Sequence, residues 1–343
     1  MKDENLTAEM HRLLSTRDSL WDSHPIIEAS AVLPTPPIKW AQTLVKSCGR
    51  RHRSSLAFWA HPMTGKTSCI RSLEVLLHTW YPGCGILIYE GKTKTSVIAE
   101  GAFLEDILKT MDYEPRIQHS LAGKRDQMKN ALYALSAVGR HLFVLIDEAQ
   151  ELKEAELCWL KEALNWINLK HKFKVAVILF GQQELLNLQT ELIGKGRSDL
   201  HIRYTSRLLE FETIRKAADL ILPFKACDVG SEYPAGSGWS YTRFLWPRAF
   251  DAGVMRLEEQ TETAWSALLK ASPTTGGMHG IGMQWIASVL AGLADATKDR
   301  DGRLLTLTEQ DWLDAIEMSD YIDQPPTKLK TKRPDNGRKG DAA

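Results

Sequence analysis

The chain has 343 residues, 43 lysines and arginines against 43 aspartates and glutamates, 43% hydrophobic residues and 25% charged ones. That length and balance suit one large α/β domain plus a small second one, and a formal net charge of zero leaves no global field drawing the chain to nucleic acid or membrane. Five cysteines without a CxxC pair argue against disulfides and structural zinc, and the absence of a signal core or a membrane-length apolar run predicts a cytoplasmic protein with no membrane contact.

Residues 1–50 read as a helical preface. Leu6–Leu14 is short and amphipathic, Trp21–Pro25 is a turn, and Pro34, Pro36 and Pro37 break the chain before a helix over Ile38–Ser47. Arg50, Arg51, His52 and Arg53 form a basic knot, either a solvated loop or a nucleic-acid contact. Leu56–Trp59 then reads as a buried strand and Cys69–His78 as a helix with Ile70, Leu73, Leu76 and Leu77 on one face. Between them lie Ala60, His61, Pro62, Met63, Thr64, Gly65, Lys66, Thr67 and Ser68. A strand, a tight turn ending in Gly-Lys-Thr and a helix make a phosphate-binding loop: backbone N–H groups and the helix N-terminus cradle phosphate, Lys66 reaches the outer phosphates, and Thr67 ligates Mg²⁺. Ala60 stands where the pattern has glycine, and alanine enters positive φ less freely.

Gly85–Glu90 is a second strand, closed by Gly91, and Val97–Met111 a helix. The loop between them carries Lys92, Thr93, Lys94 and Thr95, groups that grip phosphate oxygens without reading bases. Glu114–Arg125 reads as a further loop with Arg116 and Lys124 as similar candidates, followed by a helix over Gln127–Ser136. His141–Gln150, HLFVLIDEAQ, is an apolar strand that delivers two adjacent carboxylates to its C-terminal edge. Asp147 would hold the metal's water shell and Glu148 would orient and deprotonate an attacking water. Together with Gly-Lys-Thr this predicts ATP and Mg²⁺ as cofactors, and hydrolysis.

A helix over Ala155–Leu169, a strand over Lys174–Phe180, a helix over Leu185–Gly194 and a last strand after Arg203 and Arg207 complete a five-stranded parallel sheet covered by helices. Asp228–Phe250 breaks the pattern with Trp239, Tyr241, Phe244 and Trp246 on a Gly-, Ser- and Pro-rich stretch, read as a hinge packing on the small domain or as a partner-docking element. Helices over Glu258–Lys270, Met283–Ala294 and Thr306–Asp320 follow, the last opened by Thr306 and Glu309 in capping-box spacing, and then a basic tail. The expected organisation is a preface at 1–50, a nucleotide-binding core at 51–225, the aromatic insertion at 226–253, a helical lid at 254–322 and a disordered tail at 323–343.

Trp21, His24 and Pro25, the Gly-Lys-Thr loop, VLIDEAQ, FGQQEL, Arg203-Tyr204 and the Gly276-Gly277 turn resemble the AAA+ ATPases of transposons, of the TnsC, TniB and MuB type. The resemblance covers about residues 20 to 320. It implies an α/β AAA+ phosphate-loop domain with a small helical lid, an ATPase that assembles as a homo-oligomeric ring or filament on double-stranded DNA without sequence preference. It also implies a target-selection protein and a transposase as partners. Gln182 matches the sensor-1 position, and Arg203 or Arg207, with Arg203 favoured by its Arg-Tyr pair, the arginine that completes a neighbour's ATP site. The sensor-2 arginine is missing near His279, and with Ala60 this departure bears on turnover more than on binding. VLIDEAQ is shared with ExeA-type ATPases and origin-recognition initiators, so an ExeA-like ATPase driving assembly of a protein complex without DNA is the alternative.

Overall fold

The computed structural model describes residues 15–93, 99–272, 280–319 and 321. The Leu6–Leu14 stretch, Lys94, Thr95, the 273–279 turn with His279 and the basic tail lie outside the described residues. Five strands form one sheet: β1 (Arg53–Trp59), β2 (Gly85–Glu90), β3 (His141–Asp147), β4 (Lys174–Gly181) and β5 (Leu208–Glu210). Their order is β2-β3-β4-β1-β5 and every pairing is parallel. β3 is buried along its whole length and β4 from its second residue on. Such runs need cover on both faces, which crossover helices provide. One apolar cluster, with Ile38, Val45, Phe58, Leu73 and Phe180, fills one face; the other, with Phe103, Leu132, Leu157 and Leu164, fills the opposite face.

Three expectations change. Lys124 and Arg125 sit in a helix that starts at Leu121, not in a loop, because Ser120 caps it by accepting from Gly123 N–H (3.1 Å). The last helix runs Glu309–Met318 and its capping box is Thr308 with Asp311 rather than Thr306 with Glu309: the Asp311 carboxylate accepts from Thr308 N–H at 2.7 Å. A helix over Ala217–Val229, absent from the sequence reading, carries Pro223 in its interior, which hides it from any periodicity argument.

The aromatic insertion is no flexible loop. It holds two short helices, Tyr241–Leu245 and Pro247–Asp251, and Trp239, Phe244 and Trp246 are buried. They share a third core with Trp21, Ile26 and Leu33 of the preface and with Phe224, Leu268, Ile286, Leu290 and Trp312. Asp228 ties this core together. Its buried carboxylate accepts from Thr242 Oγ1 (2.6 Å), Leu257 N–H (3.0 Å) and Glu258 N–H (2.9 Å), and burial raises its pKa. The described cysteines are all free, and among the described residues no helix is long and apolar enough to cross a membrane.

His24 locks the preface onto that core. Its ring stacks on Phe244 (centroids 4.8 Å apart) and meets Tyr233 and Tyr241 edge-on, and its Nδ1 accepts from Ile26 N–H at 3.2 Å. Burial lowers its pKa from 6.5 to about 3. The folded state therefore binds its proton later than the unfolded chain, so stability present above pH 6.5 is lost as the pH falls from there towards 3. At pH 5 the loss is about 2 kcal/mol, from the one and a half pH units below the unfolded value. Urea unfolding at pH 7.5 and pH 5 should show this loss in the parent and a smaller one in His24→Phe.

Candidate nucleotide-hydrolysis site

The site is built where β1 and β3 end, with β4 between them. β1 runs out into Ala60, whose N–H donates to Gly181 O at the end of β4 (3.0 Å). Ala60 is fully buried and takes no positive φ; the left-handed positions of the loop are Met63 (φ 62) and Gly65 (φ 95). The missing first glycine thus leaves the turn intact, and the strain falls on Met63, a residue that reaches this region only at a cost. Gly65 opens the helix Lys66–Trp80, so free N–H groups and the positive end of a helix dipole face the loop's hollow.

Lys66 is 6% exposed and its Nζ donates to His61 O at 3.4 Å, folded back over the hollow. Burial lowers its pKa, and Glu148, Asp147 and Glu184 partly restore it. Thr64 is buried and its hydroxyl donates to His61 O at 2.9 Å, closing the loop. His61 packs edge-on against Trp59, Pro62 and Met63 are exposed, and Ser68 is half-buried in the first helical turn.

Thr67 Oγ1 donates to Asp147 Oδ2 at 2.8 Å, joining the loop helix to the end of β3 across a sequence gap of eighty residues. A hydroxyl and a carboxylate at this spacing suit Mg²⁺, with Thr67 as direct ligand and Asp147 holding its waters. Asp147 Oδ1 also accepts from Glu148 N–H (3.0 Å). Glu148 lies in left-handed backbone, φ 46 and ψ 42, a strain that persists only where surroundings enforce it. Those surroundings are legible. Gln150 Nε2 (2.5 Å) and Gln182 Nε2 (3.0 Å) both donate to Glu148 Oε2, and Gln182 N–H donates to Gln150 Oε1 (2.8 Å). A Cβ on Gly91 would stand 2.4 Å from the Glu148 carbonyl, so the close approach of the β2 end requires glycine. Two amides fix one carboxylate oxygen and leave the other to take a proton from a water, while Lys66 offers charge to an anion in the hollow.

The structure brings Lys66, Thr67, Asp147, Glu148 and Gln182 together. The sequence reading missed Gln150, although that glutamine stands within the same Asp-Glu stretch. It also missed Gly282, the residue before the helix Met283–Thr297: Gln284 N–H donates to Met63 O (3.1 Å), and a Cβ on Gly282 would sit 2.6 Å from the same oxygen. The small helical part therefore touches the loop directly.

The remaining candidates lie elsewhere. Arg203 is buried, 4% exposed, in a cavity of about 540 Å³ with Ser54, Ser55, Lys161 and Asn165, and Arg207 is half-buried before β5. Lys92 pairs with Asp106 (2.5 Å) and Lys124 with Glu105 (2.7 Å), the latter with its side chain only 14% exposed; Arg116 meets His119, and Thr93 is exposed. Lys92 and Lys124 are thus matched by carboxylates of a single helix, Glu100–Thr110.

Residues 49–189 match the family model of the AAA domain. No curated protein matches the chain. Among solved structures, the ORC2 protein of Aeropyrum pernix in its ADPNP–ADP complexes superposes with a TM-score of 0.54 at 10% identity, over 87% of this chain and 72% of that one. Its ORC1 protein in complex with DNA gives 0.49 at 11% identity, over 86% and 69%, and Cdc6p of Pyrobaculum aerophilum 0.43 at 14%, over 87% and 89%. The first of these likenesses is one of fold, an α/β AAA+ domain with the five-stranded parallel sheet; the assignment as an ATPase rests on the match of residues 49–189 to the AAA domain.

Adding a side chain at Gly282 tests the coupling of the helical part to the loop. Overpacking costs about 1–3 kcal/mol, so Gly282→Val should lower the melting temperature of the nucleotide-free chain by at least about 2 °C and, as the loop shifts at Met63 to relieve the contact, weaken ATP binding about tenfold. Equilibrium titration with a fluorescent ATP analogue would measure it.

Proposed function

We propose that the chain is an ATP-dependent regulator that assembles as a ring or filament on duplex DNA, of the kind that marks a target and engages a transposase. The observation that carries the assembly reading is what the site lacks. Among the described residues, the hydrogen-bond partners of the Lys66, Thr67, Asp147 and Glu148 side chains are a hydroxyl, a carboxylate, amides and backbone, with no arginine among them. β5 enters with Leu208 opposite Ala57, so Arg207 stands opposite Leu56, four residues below the loop that starts at Ala60. At about 3.3 Å per residue that is about 13 Å, too far to serve its own site. A guanidinium there can serve a neighbour's, where it supplies charge as phosphoryl transfer proceeds. Arg207 suits this role better than Arg203, whose guanidinium is sunk in its own subunit.

In this scheme bound Mg²⁺ supplies electrostatic stabilisation of the phosphates. Lys66 neutralises the transferred group's oxygens, Thr67 and Asp147 position the ion, and Glu148, held by Gln150 and Gln182, takes the proton of the attacking water. The resemblance in VLIDEAQ and FGQQEL supports the transposition reading; the exposed Thr93 supports contact with phosphate backbone, to which Lys92 would add by exchanging Asp106 for phosphate.

The test combines mixing with DNA. Arg207→Ala subunits keep Glu148, and Glu148→Gln subunits keep Arg207, so a mixture restores one intact interface. ATP turnover should be low for each variant alone, recover on mixing, and rise when any arbitrary duplex is added. No recovery with Arg207→Ala but recovery with Arg203→Ala would move the role to Arg203. Recovery with neither would refute completion between subunits. A mixture indifferent to duplex would favour the protein-assembly alternative.

A further inference from the structure

The sequence leaves the basic knot before β1 open between a solvated loop and a nucleic-acid contact, and the fold gives it neighbours. Because β3, β4 and β1 are adjacent and parallel, the segments entering them lie side by side on the sheet edge opposite the phosphate loop. Arg140 stands before β3, Lys170 and Lys172 before β4 with Lys174 at its start, and Arg50 and Arg51 before β1. All six are exposed. The segments are tied into one rim: Lys174 N–H donates to Arg140 O (3.0 Å), Val175 N–H to His52 O (3.1 Å), and Arg140 Nη2 to His171 O (3.0 Å).

Three features separate this rim from an ordinary charged surface. The stretches 46–54, 137–142 and 169–175 contain no aspartate or glutamate. Among the described residues none of the six bases forms an ion pair, whereas Lys92, Lys124, Arg125, Lys161, Lys195 and Arg197 all do. Arg140 and Lys172 also occupy left-handed backbone, φ 52 and φ 60, where glycine or asparagine would be easier, yet each position holds a base. Helix dipoles do not account for the excess. Helices end on this edge at Gly49, Ser136 and Lys170, and each end carries about half a negative charge, about one and a half in all against six positive ones.

We infer that this rim is a second contact for the phosphate backbone of a nucleic-acid duplex, at the end of the sheet remote from the ATP site. Strands lie about 4.8 Å apart, so the three-strand rim is about 10 Å wide. A duplex presents one phosphate charge per about 3.4 Å of axis along each strand, or about three over that width on the strand that faces the rim, so six positive side chains are enough to neutralise the phosphates within reach. Long, exposed side chains flanked by histidine, serine and glycine suit a continuous run of phosphates read without sequence preference. The inference rests on the reading of the chain as a duplex binder, and it adds a contact that the Lys92 loop does not provide.

Two variants of the full chain test it: Lys170→Gln with Lys172→Gln and Lys174→Gln, and separately Arg50→Gln with Arg51→Gln. Binding of a fluorescent duplex of arbitrary sequence is followed by anisotropy against KCl concentration, with Lys92→Ala alongside and binding of a fluorescent ATP analogue as the check on folding. The triple variant should lose at least about tenfold in duplex affinity at low salt and flatten the log–log salt slope by about 3, the double variant by about 2. Loss in the rim variants with Lys92→Ala unchanged would uphold the rim and remove the loop contact. Parental affinity and slope in both rim variants, with Lys92→Ala weakened, would overturn the rim and leave the loop contact standing. Retained duplex binding with loss of binding to polyglutamate would also overturn it, assigning the rim to an acidic protein surface.

Discussion

The hydrogen bond from Thr67 to Asp147, 2.8 Å long, is the contact on which the site depends. It joins the first turn of the loop helix to the end of β3, and it can form only because β4 lies between β1 and β3 with every strand in parallel register. In a sheet of that order the C-terminal ends converge on one edge, where a ligand is held between loops. The apolar runs Leu142–Ile146 and Val175–Phe180 secure the register by burial on both faces. Bringing Thr67 and Asp147 within hydrogen-bond reach is therefore a consequence of packing residues that lie inside the sheet.

Strain is stored beside that bond. Glu148 keeps left-handed backbone because Gln150, Gln182 and the bare backbone of Gly91 leave it no easier place. Its carboxylate is held in one orientation by Gln150 and Gln182, as a proton acceptor in hydrolysis would need. The helical part adds a second constraint. It is welded by Trp21, His24, Trp246 and Trp312 into one core and reaches the phosphate loop through Gly282 and Gln284 at Met63. A change at the nucleotide can therefore be felt in that core, and the reverse.

What could be read from the sequence follows from where the signal is local. All five strands were legible as apolar runs, and Gly85–Glu90 and Leu185–Gly194 were placed to the residue, since each is bounded by glycine or by a change of periodicity. Lys66, Thr67, Asp147 and Glu148 could be singled out because a Gly-Lys-Thr turn and an Asp-Glu strand end are local sequence patterns. The aromatic stretch was legible as packing on the small helical part, but not its contact with the preface: Trp239, Phe244 and Trp246 share a core with Trp21, and Phe244 stacks on His24, more than two hundred residues away in sequence. The helix Ala217–Val229 was hidden by Pro223, and the rim of bases by the dispersal of its members over three segments that only the sheet brings together. The role of Gln150 depended on Gln182, whose N–H it accepts, and no spacing rule links the two.

The central claim is that Glu148 is the base of an ATP-hydrolysing site whose binding half is separate from it. Glu148→Gln keeps the size of the side chain and its hydrogen-bonding reach while removing its basicity. Mg²⁺–ATP affinity and steady-state turnover of that variant, measured beside the parent under assembling conditions, give the direct test. Affinity should stay within about twofold and turnover should fall by a factor of at least about a hundred, the contribution expected of a positioned general base. Turnover at the parental rate with unchanged affinity would contradict the account.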